Sequence, residues 1–168
     1  MLKYIKLYPD VKVPAYGSLE AACFDIHAYL PEHLGVEIRM SSGITRIHTV
    51  SKENPFDLRI QPGEVAKIPT GLIFRPEPNF SVRLHSRSGM AFKFGLVLAN
   101  GEGIVDSDYN EQVFVLIHNS CGTSRAIRNG DRIAQGELVR DLRTELKETT
   151  NREFRVGNRR GGFGSTGQ

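Results

Sequence analysis

Short apolar stretches separated by turn residues recur along the whole chain. Stretches that alternate apolar and polar residues, or that are rich in β-branched residues, are typical of strands in an antiparallel sandwich or barrel. No stretch has the apolar period of a long amphipathic helix. The pattern predicts strands at residues 3–7, 24–30, 64–74 (two strands, broken at Pro69 and Gly71), 80–85, 96–98, 104–105, 112–118 and 132–139.

One short helix is predicted after the strand at residues 80–85. Ser88 is a good N-cap residue, and the segment 90–94 follows it and ends at Gly95. Residues 35–57 fit neither pattern, because their composition is mixed and polar and includes the turn-forming runs SSG and ENP. They predict an inserted loop or hairpin to which no chemistry can be assigned.

The segment 98–119 holds the strongest candidate chemistry and is predicted to form a β-hairpin or a bent two-strand unit. Asp106, Asp108 and Tyr109 lie between its arms, just after the turn residues Gly101 and Gly103. A carboxylate there can activate a water molecule, and the neighbouring ring can pack on a flat or sugar-like ligand. The alternative is a turn with solvated aspartates, since Asp is common in turns.

Composition limits the class of protein. The chain has 168 residues, of which 39% are hydrophobic and 24% charged, which is typical of one soluble globular domain. No apolar run reaches the ~20 residues that span a bilayer, and the first residues lack the pattern of a signal peptide. With two cysteines, Cys23 and Cys121, one disulfide stays open, but a reduced, cytoplasmic protein is the simpler prediction.

Charge is concentrated near the C-terminal end. Seven basic and four acidic residues between Arg140 and Arg160 account for the whole formal net charge of +3. A basic segment suits a polyanion, either a nucleotide phosphate or a nucleic-acid backbone. The alternative is a solvated, partly disordered tail.

Two further segments predict phosphate contacts. Arg87 and Ser88 stand where a strand meets the short helix, so a guanidinium and free backbone N–H groups could cradle a phosphate. Gln135 follows the Gly130-Asp131 turn and could donate its amide to a ligand oxygen. The alternatives are an ordinary helix cap with a surface arginine, and an outward-pointing glutamine beside a turn.

The sequence lacks the motifs expected for two common kinds of catalytic centre. A serine hydrolase is disfavoured because the chain has no G-x-S-x-G sequence. A zinc site is not predicted because the histidines show no metal-ligand spacing with each other or with the cysteines. These histidines are His27, His33, His48, His85 and His118.

The C-terminal segment 158–168 is too rich in glycine to pack as a core element. Its glycines allow backbone amides to wrap around an anion. The side chains that could bind a nucleotide are Phe163 for the base, Arg159 or Arg160 for phosphate, and the hydroxyls of Ser165 and Thr166. The alternatives are a disordered tail, or a single RGG-like segment that binds nucleic acid.

Taken in order, five segments resemble the trimeric deoxyuridine triphosphatases (dUTPases). The resemblance covers nearly the whole chain except residues 35–57. The segments are residues 22–28, 87–90, Asn100 with 103–109, 130–135 and 161–167. Two positions depart from the family pattern: Cys23 stands where the first segment usually has Gly, and Asn158 stands where the last segment usually has Arg.

The resemblance implies a jelly-roll β-sandwich at residues 1–157, a flexible C-terminal lid at 158–168, and a homotrimer with shared active sites. It implies hydrolysis of dUTP to dUMP and pyrophosphate, which limits uracil in DNA and supplies dUMP for dTMP synthesis. It also implies Mg²⁺ held through the triphosphate and water, with no direct protein ligand. The substrate is dUTP, and neither a membrane nor a nucleic acid is an expected partner.

Residue roles follow from the same resemblance. Asp106 would be the general base that deprotonates the attacking water, and Asp25 would support the network of water and metal. Tyr109 would pack under the deoxyribose, and Asn100 with the backbone near Gly103 and Val105 would pair with the uracil. The remaining predicted contacts are Arg87, Ser88, Gly89 and Gln135 with phosphates, Phe163 and Gly164 over the uracil, Ser165 and Thr166 with the far phosphate, and Arg159 or Arg160 with the γ-phosphate.

Three alternatives stay open. A related dCTP deaminase needs a carboxylate on the strand after the hairpin, and residues 113–118 contain none, so deamination is disfavoured. A nucleic-acid-binding module would use the basic tail and show strong, salt-steep retention on DNA or RNA. A regulatory interaction protein on the same scaffold would use residues 35–57 as its partner surface.

Overall fold

The computed structural model describes residues 1–51 and 58–150. Within these residues the chain forms fourteen strands and one seven-residue helix. The elements are β1 (Leu2–Lys6), β2 (Ala15–Tyr16), β3 (Phe24–His27), β4 (Gly35–Arg39), β5 (Thr45–Thr49), β6 (Leu58–Ile60), β7 (Val65–Pro69), β8 (Leu72–Pro76), β9 (Phe80–His85), α1 (Ser88–Phe94), β10 (Leu96–Leu98), β11 (Gly103–Val105), β12 (Phe114–Asn119), β13 (Arg125–Ile127) and β14 (Arg132–Arg140).

Two five-stranded antiparallel sheets make up most of the fold. The first sheet has the strand order β10-β12-β7-β4-β5, and the second has the order β11-β9-β14-β3-β2. Two smaller pairs, β1 with β8 and β13 with β6, complete the described ladders. The predicted all-β, jelly-roll-like sandwich with one short helix is confirmed, while the C-terminal tail lies outside the described residues.

One hydrophobic core joins the two sheets. Ile68 and Ile117 enter it from the first sheet, and Ile26, Val82 and Ala134 enter it from the second. Side chains at alternate positions of a regular strand point to the same face, so one face of each sheet supplies most of this core. Each buried aliphatic side chain stabilises the fold by roughly 1.5–3 kcal/mol relative to exposure.

The segment at residues 35–49 is a hairpin that belongs to the first sheet. Strand β4 pairs with β5 on one side and with β7 on the other. Val36 and Ile38 alternate with exposed residues along β4 and are almost completely buried. Of the two predicted alternatives, loop or hairpin, the structure has the hairpin, and the hairpin contributes side chains to the core.

The segment 98–119 crosses the sandwich, so of the two predicted alternatives, a hairpin or a bent two-strand unit, the hairpin was wrong. Strand β11 pairs with β9 in the second sheet, whereas β12 pairs with β7 and β10 in the first sheet. The close approach of Gly103 to β9 fixes this course, since a Cβ there would lie 3.0 Å from Leu84 Cβ. The residues between β11 and β12 therefore bridge the two sheets.

The predicted short helix is present, but Ser88, the predicted N-cap residue, is the first residue of the helix instead. Arg87 is the N-cap residue and makes no side-chain capping bond, and Ser88 is the first helical residue. The backbone N–H groups of Met90 and Ala91 both donate to the Arg87 carbonyl. Ser88 is thereby exposed to solvent rather than used as a cap.

Candidate active site

A cavity of about 310 Å³ brings together the residues predicted to bind a nucleoside. Asn100, Gly103, Val105 and Tyr109 all line it, and its remaining wall is mostly apolar. Strand β11 is at the edge of the second sheet as far as the chain is described. An edge strand presents unpaired backbone N–H and C=O groups, which can pair with the polar edge of a base.

Tyr109 is held so that its ring, rather than its hydroxyl group, is available to a ligand. The hydroxyl group donates a 3.0 Å hydrogen bond to the Gln112 carbonyl, and the backbone N–H donates to the Asp106 carbonyl. The side chain remains 40% exposed although it lines the cavity. A fixed, half-exposed ring of this kind can pack against a sugar and limit the space around it.

Asp106 follows β11 directly, at the end of the strand whose residues line the cavity. It is exposed, and its carboxylate makes no ion pair with any residue in the described ranges. Asp106 itself is not among the lining residues of this cavity, although Val105 before it and Tyr109 after it are.

A second group of predicted residues is tied together by Asp25. Asp25 as a residue is 8% exposed; its Oδ1 lies 3.3 Å from Arg87 Nε, and its Oδ2 lies 3.0 Å from Arg132 Nη1. Gln135 lies opposite Asp25 in the pairing of β14 with β3. Residues far apart in sequence are thus brought to one face of the second sheet, where cationic and amide groups converge.

Arg132 is the member of this cluster that sequence reasoning missed. It opens β14 at a register irregularity between Arg132 and Ala134. Its backbone carbonyl accepts a 3.4 Å hydrogen bond from Arg87 Nη1, so it contacts both Asp25 and Arg87. The only signal in the sequence was its place beside Asp131 in a segment already noted for Gln135.

A cavity of about 600 Å³ opens beside this cluster and is strongly basic. Its lining includes both Arg87 and Arg132, together with Arg59, Arg125 and Arg128, over an apolar floor that includes Met90. Ser88 and Gly89 are exposed at the start of α1 beside Arg87. A Cβ at Gly89 would meet no atom within 4 Å, so this approach is open to a ligand.

The nucleoside cavity and the basic cavity share no lining residue. Asn100 and Tyr109 line one of them, and Arg87 lines the other. Within one chain, the candidate contacts for the base and sugar are therefore separated from the candidate contacts for phosphate.

His27 lies on β3, two residues after Asp25, and is not suited to carry charge. Burial lowers the pKa of His27, and the positive charges of Lys12, Arg132 and Arg87 lower it further, against an opposing contribution from Asp25. Its Nδ1 is buried and has no hydrogen-bond partner among the described residues. A neutral imidazole here is a structural neighbour of the candidate phosphate cluster, which consists of Asp25, Arg87, Arg132 and Gln135, rather than an acid or base.

The predicted contacts of the C-terminal segment lie outside the described residues. They are Arg159, Arg160, Phe163, Gly164, Ser165 and Thr166. Within the described residues, no helix has the length and apolar character needed to cross a membrane.

Comparison with known proteins decides the family. The dUTPase family model matches residues 53–167. This range includes every residue that lines the two cavities and, apart from Asp25 itself, every member of the cluster around Asp25. The chain belongs to the dUTPase family. It is 34% identical over 170 residues to the deoxyuridine 5'-triphosphate nucleotidohydrolase of Nautilia profundicola, covering 99% of each chain. It is 33% identical over 175 residues to that of Desulfitobacterium hafniense, covering 99% of this chain and 94% of the relative.

Solved dUTPase structures share the fold. A dUTPase of Staphylococcus bacteriophage 80alpha, determined with dUpNHpp, gives a TM-score of 0.76 at 21% identity over 100% of this chain and 99% of its own. A dUTPase from phage phi11 of S. aureus, described for its coordination of a structural Mg(II) ion, gives 0.69 at 20% identity over 91% and 99%. At these identities the comparison supports the jelly-roll architecture.

Proposed function

We propose that this dUTPase-family chain hydrolyses dUTP to dUMP and pyrophosphate, which limits uracil in DNA and supplies dUMP for dTMP synthesis. Family membership supports the reaction, and the observation that carries the assignment to residues is the cavity lined by Asn100, Gly103, Val105 and Tyr109. The edge of β11 and Asn100 pair with uracil. The Tyr109 ring packs under the deoxyribose and leaves no room for a ribose 2′-hydroxyl group.

The chemistry is attack of water on the α-phosphorus, with Asp106 as the base. Asp106 accepts the proton of the attacking water, while Arg87, Arg132 and Gln135 hold the phosphates and offset their charge. Asp25 acts through its ion pairs as a positioning residue, because it orients both guanidinium groups before the substrate arrives. Preorganised charges of this kind stabilise the transition state without reorganisation during the reaction.

The cofactor we propose is Mg²⁺, bound through the triphosphate and water. The described residues fit this mode, because both oxygens of the buried Asp25 carboxylate are already paired with arginines and are not free to ligate a cation directly. When bound, the ion would neutralise phosphate charge and polarise the phosphoryl oxygens.

We further propose a homotrimer in which neighbouring chains share each site. The separation of the nucleoside cavity from the basic cavity supports it, since one triphosphate must reach both sets of residues. Exposed apolar side chains on the isolated chain, including Ile104 and Phe92, offer surface for subunit contacts. The C-terminal segment would then complete the site, with Phe163 and Gly164 at the uracil, Arg159 or Arg160 at the γ-phosphate, and Ser165 and Thr166 at the far phosphate.

A cytoplasmic location is part of the proposal, since both cysteines, Cys23 and Cys121, are free. Nucleic acid is not a proposed partner. A salt-steep retention on DNA would favour the alternative of a nucleic-acid-binding module.

The first experiment identifies the reaction. Purified protein is incubated with Mg²⁺ and a panel of dNTPs, and the products are separated. We expect dUMP and pyrophosphate from dUTP and no deamination of dCTP. Asp106→Asn should retain binding of a non-hydrolysable dUTP analogue and lose ~10²–10⁴ in kcat, the usual contribution of a general base. Wild-type turnover by that variant would remove Asp106 from its role.

The second experiment tests shared sites by mixing two inactive variants. Asp106→Asn chains and Arg87→Ala chains are co-refolded in equal amounts, and mixing is verified by mass spectrometry of the intact oligomers. If Asp106 and Arg87 of one site come from different chains of a closed symmetric oligomer, about a quarter of the sites are intact. If one chain supplies both, no site is intact and activity stays at the sum of the two variants.

A further inference from the structure

The outward face of the second sheet carries a second cluster, beside the phosphate residues and separate from them. The Cys23 Sγ atom, a His85 ring nitrogen and a Glu137 carboxylate oxygen all lie within 4.8 Å of one another. Cys23 immediately precedes β3, His85 ends β9, and Glu137 lies in β14. Because β9, β14 and β3 are consecutive neighbours in the sheet, the cluster brings together two adjacent strands and the residue that leads into the third.

We propose that Cys23, His85 and Glu137 bind a divalent cation of the zinc class. The His85 Nε2 and Glu137 Oε2 atoms are 3.2 Å apart, close to the separation of about 3.3 Å between two ligand atoms of a tetrahedral zinc ion. One sulfur, one nitrogen and one oxygen donor suit zinc, whereas Mg²⁺ prefers oxygen ligands alone. Three protein ligands leave the fourth position to water.

A neighbouring carboxylate supports the same assignment. Glu102 Oε1 lies 3.7 Å from His85 Nδ1, on the side of the ring opposite the Nε2 atom that faces Glu137. Arg83 Nη1 lies 3.5 Å from Glu102 Oε2 and helps to hold it. Histidines that bind metals commonly donate their second ring N–H to a carboxylate, which fixes the ring orientation. At 3.7 Å, Glu102 lies within ion-pair distance but beyond hydrogen-bond distance of this nitrogen, so a small movement would let it orient the ring.

The position of the cluster relates it to the phosphate residues. Cys23, His85 and Glu137 each stand two residues from a member of the proposed active site, namely Asp25, Arg87 and Gln135 respectively. In β-strands residues two apart share a face, so for β3 and β14 the metal ligands and phosphate ligands alternate along one surface. A bound ion would cross-link the three strands that carry the phosphate cluster, without contact with the reacting atoms.

The cluster was not predictable from spacing, because its members lie 52 or more residues apart in sequence. Cys23 also stands where the family resemblance led us to expect Gly. The site is therefore proposed as a property of this chain, additional to the Mg²⁺ that accompanies the triphosphate.

The test uses the full chain, freed of metal with a chelator, and zinc chloride as the probe. We expect one zinc per chain by calorimetric titration and by metal analysis after gel filtration, and a higher unfolding temperature with zinc, since a ligand that binds only the folded state stabilises it. Cobalt(II) should give a thiolate-to-metal charge-transfer band. Failure to retain zinc, a cobalt spectrum without that band, or one ion per three chains would each overturn the proposal.

Matched variants locate the ion. Cys23→Ser and Glu137→Gln should each weaken zinc binding by at least ~100-fold, and Glu102→Gln by about 10-fold. Cys121→Ser is the control, because it removes the other free thiol of the chain, which lies beside Arg125 and away from the cluster. Circular dichroism and the unfolding temperature without zinc establish that each variant is folded. Zinc binding that survives Cys23→Ser and Glu137→Gln, or that is lost in Cys121→Ser, would place the ion elsewhere.

Discussion

Gly136 is a position at which adding a single methyl group should destabilise the fold. It lies in β14 opposite Phe24 in the pairing of β14 with β3. A Cβ added at Gly136 would lie 2.4 Å from Phe24 Cε2 and 2.5 Å from Phe24 Cζ, with Ile26 Cδ1 at 3.2 Å. Contacts this short are not compatible with the native packing, so Gly136→Ala must displace the Phe24 ring.

The ring has little freedom to move. Phe24 is 3% exposed and packs edge-on against Phe74 and Tyr16, with ring centroids 5.7 and 5.8 Å away. Overpacking a close-packed core by one methyl group costs typically about 1–3 kcal/mol, because side chains leave their rotamers or the backbone shifts. Since both flanking atoms belong to one rigid ring, we expect a loss in the upper half of that range.

The assay is equilibrium unfolding in urea, with the same protein concentration in each experiment. Gly122→Ala is the matched control: a Cβ there meets nothing within 4 Å. We expect a lower urea midpoint for Gly136→Ala and a nearly unchanged midpoint for Gly122→Ala. Equal midpoints for the two variants would refute the reasoning that Gly136 is required for the approach of Phe24.

Three further outcomes are expected. Tyr109→Ala should narrow the ratio of kcat/KM between dUTP and UTP, measured for both substrates in both proteins, and an unchanged ratio would place sugar selection elsewhere. Arg132→Ala should raise KM for dUTP and lower kcat, because it removes a phosphate contact and releases Asp25, and wild-type kinetics would exclude it from the site. Glu64→Gln should destabilise the fold by about 1.5–3 kcal/mol at pH 7. Although burial alone would raise the pKa of Glu64, hydrogen bonds from Arg46 and the Gln61 backbone lower it. The wild-type advantage in unfolding free energy over Glu64→Gln should therefore be full above about pH 4.3 and shrink as the pH falls through the depressed pKa, and a constant difference down to pH 3 would contradict the assignment.

Short apolar, β-branched or alternating stretches made most strands predictable from sequence. Residues 80–85 alternate apolar and polar side chains and form β9. Strands β2, β6 and β13 were not predicted; they have only two or three residues each, and β6 and β13 pair with each other. Such strands are set by their partners rather than by their own composition.

Pairing across the sandwich could not be predicted for residues 98–119. Two arms joined by glycine turns have the local pattern of a hairpin, but β11 pairs with β9 and β12 pairs with β7. Local sequence specifies a turn, and only the packed core decides which strand lies beside each arm. Asn100, Gly103, Val105 and Tyr109 nevertheless line one cavity, because they are close in sequence.

The phosphate cluster depends on contacts between distant residues, which explains why only part of it was predicted. Asp25 meets Arg87 across 62 residues and Arg132 across 107 residues. The family pattern supplied Asp25, Arg87 and Gln135 as separate contacts, but nothing local to Arg132 distinguishes it from a surface arginine. Its role emerges only from the register that places the start of β14 beside β3.

Asp25 affects both the net charge of the phosphate cluster and the orientation of its two guanidinium groups. Its carboxylate offsets one of the two positive charges of Arg87 and Arg132, so it weakens their attraction for phosphate while it fixes their direction. Two unpaired guanidinium groups would bind a triphosphate more tightly but would adopt several orientations around it. Catalysis requires interactions that are stronger in the transition state than in the bound substrate. If the cluster binds a triphosphate as proposed, a buried anion that orients two cations while moderating their charge would favour turnover over tight binding, and this would account for a carboxylate in the middle of the site.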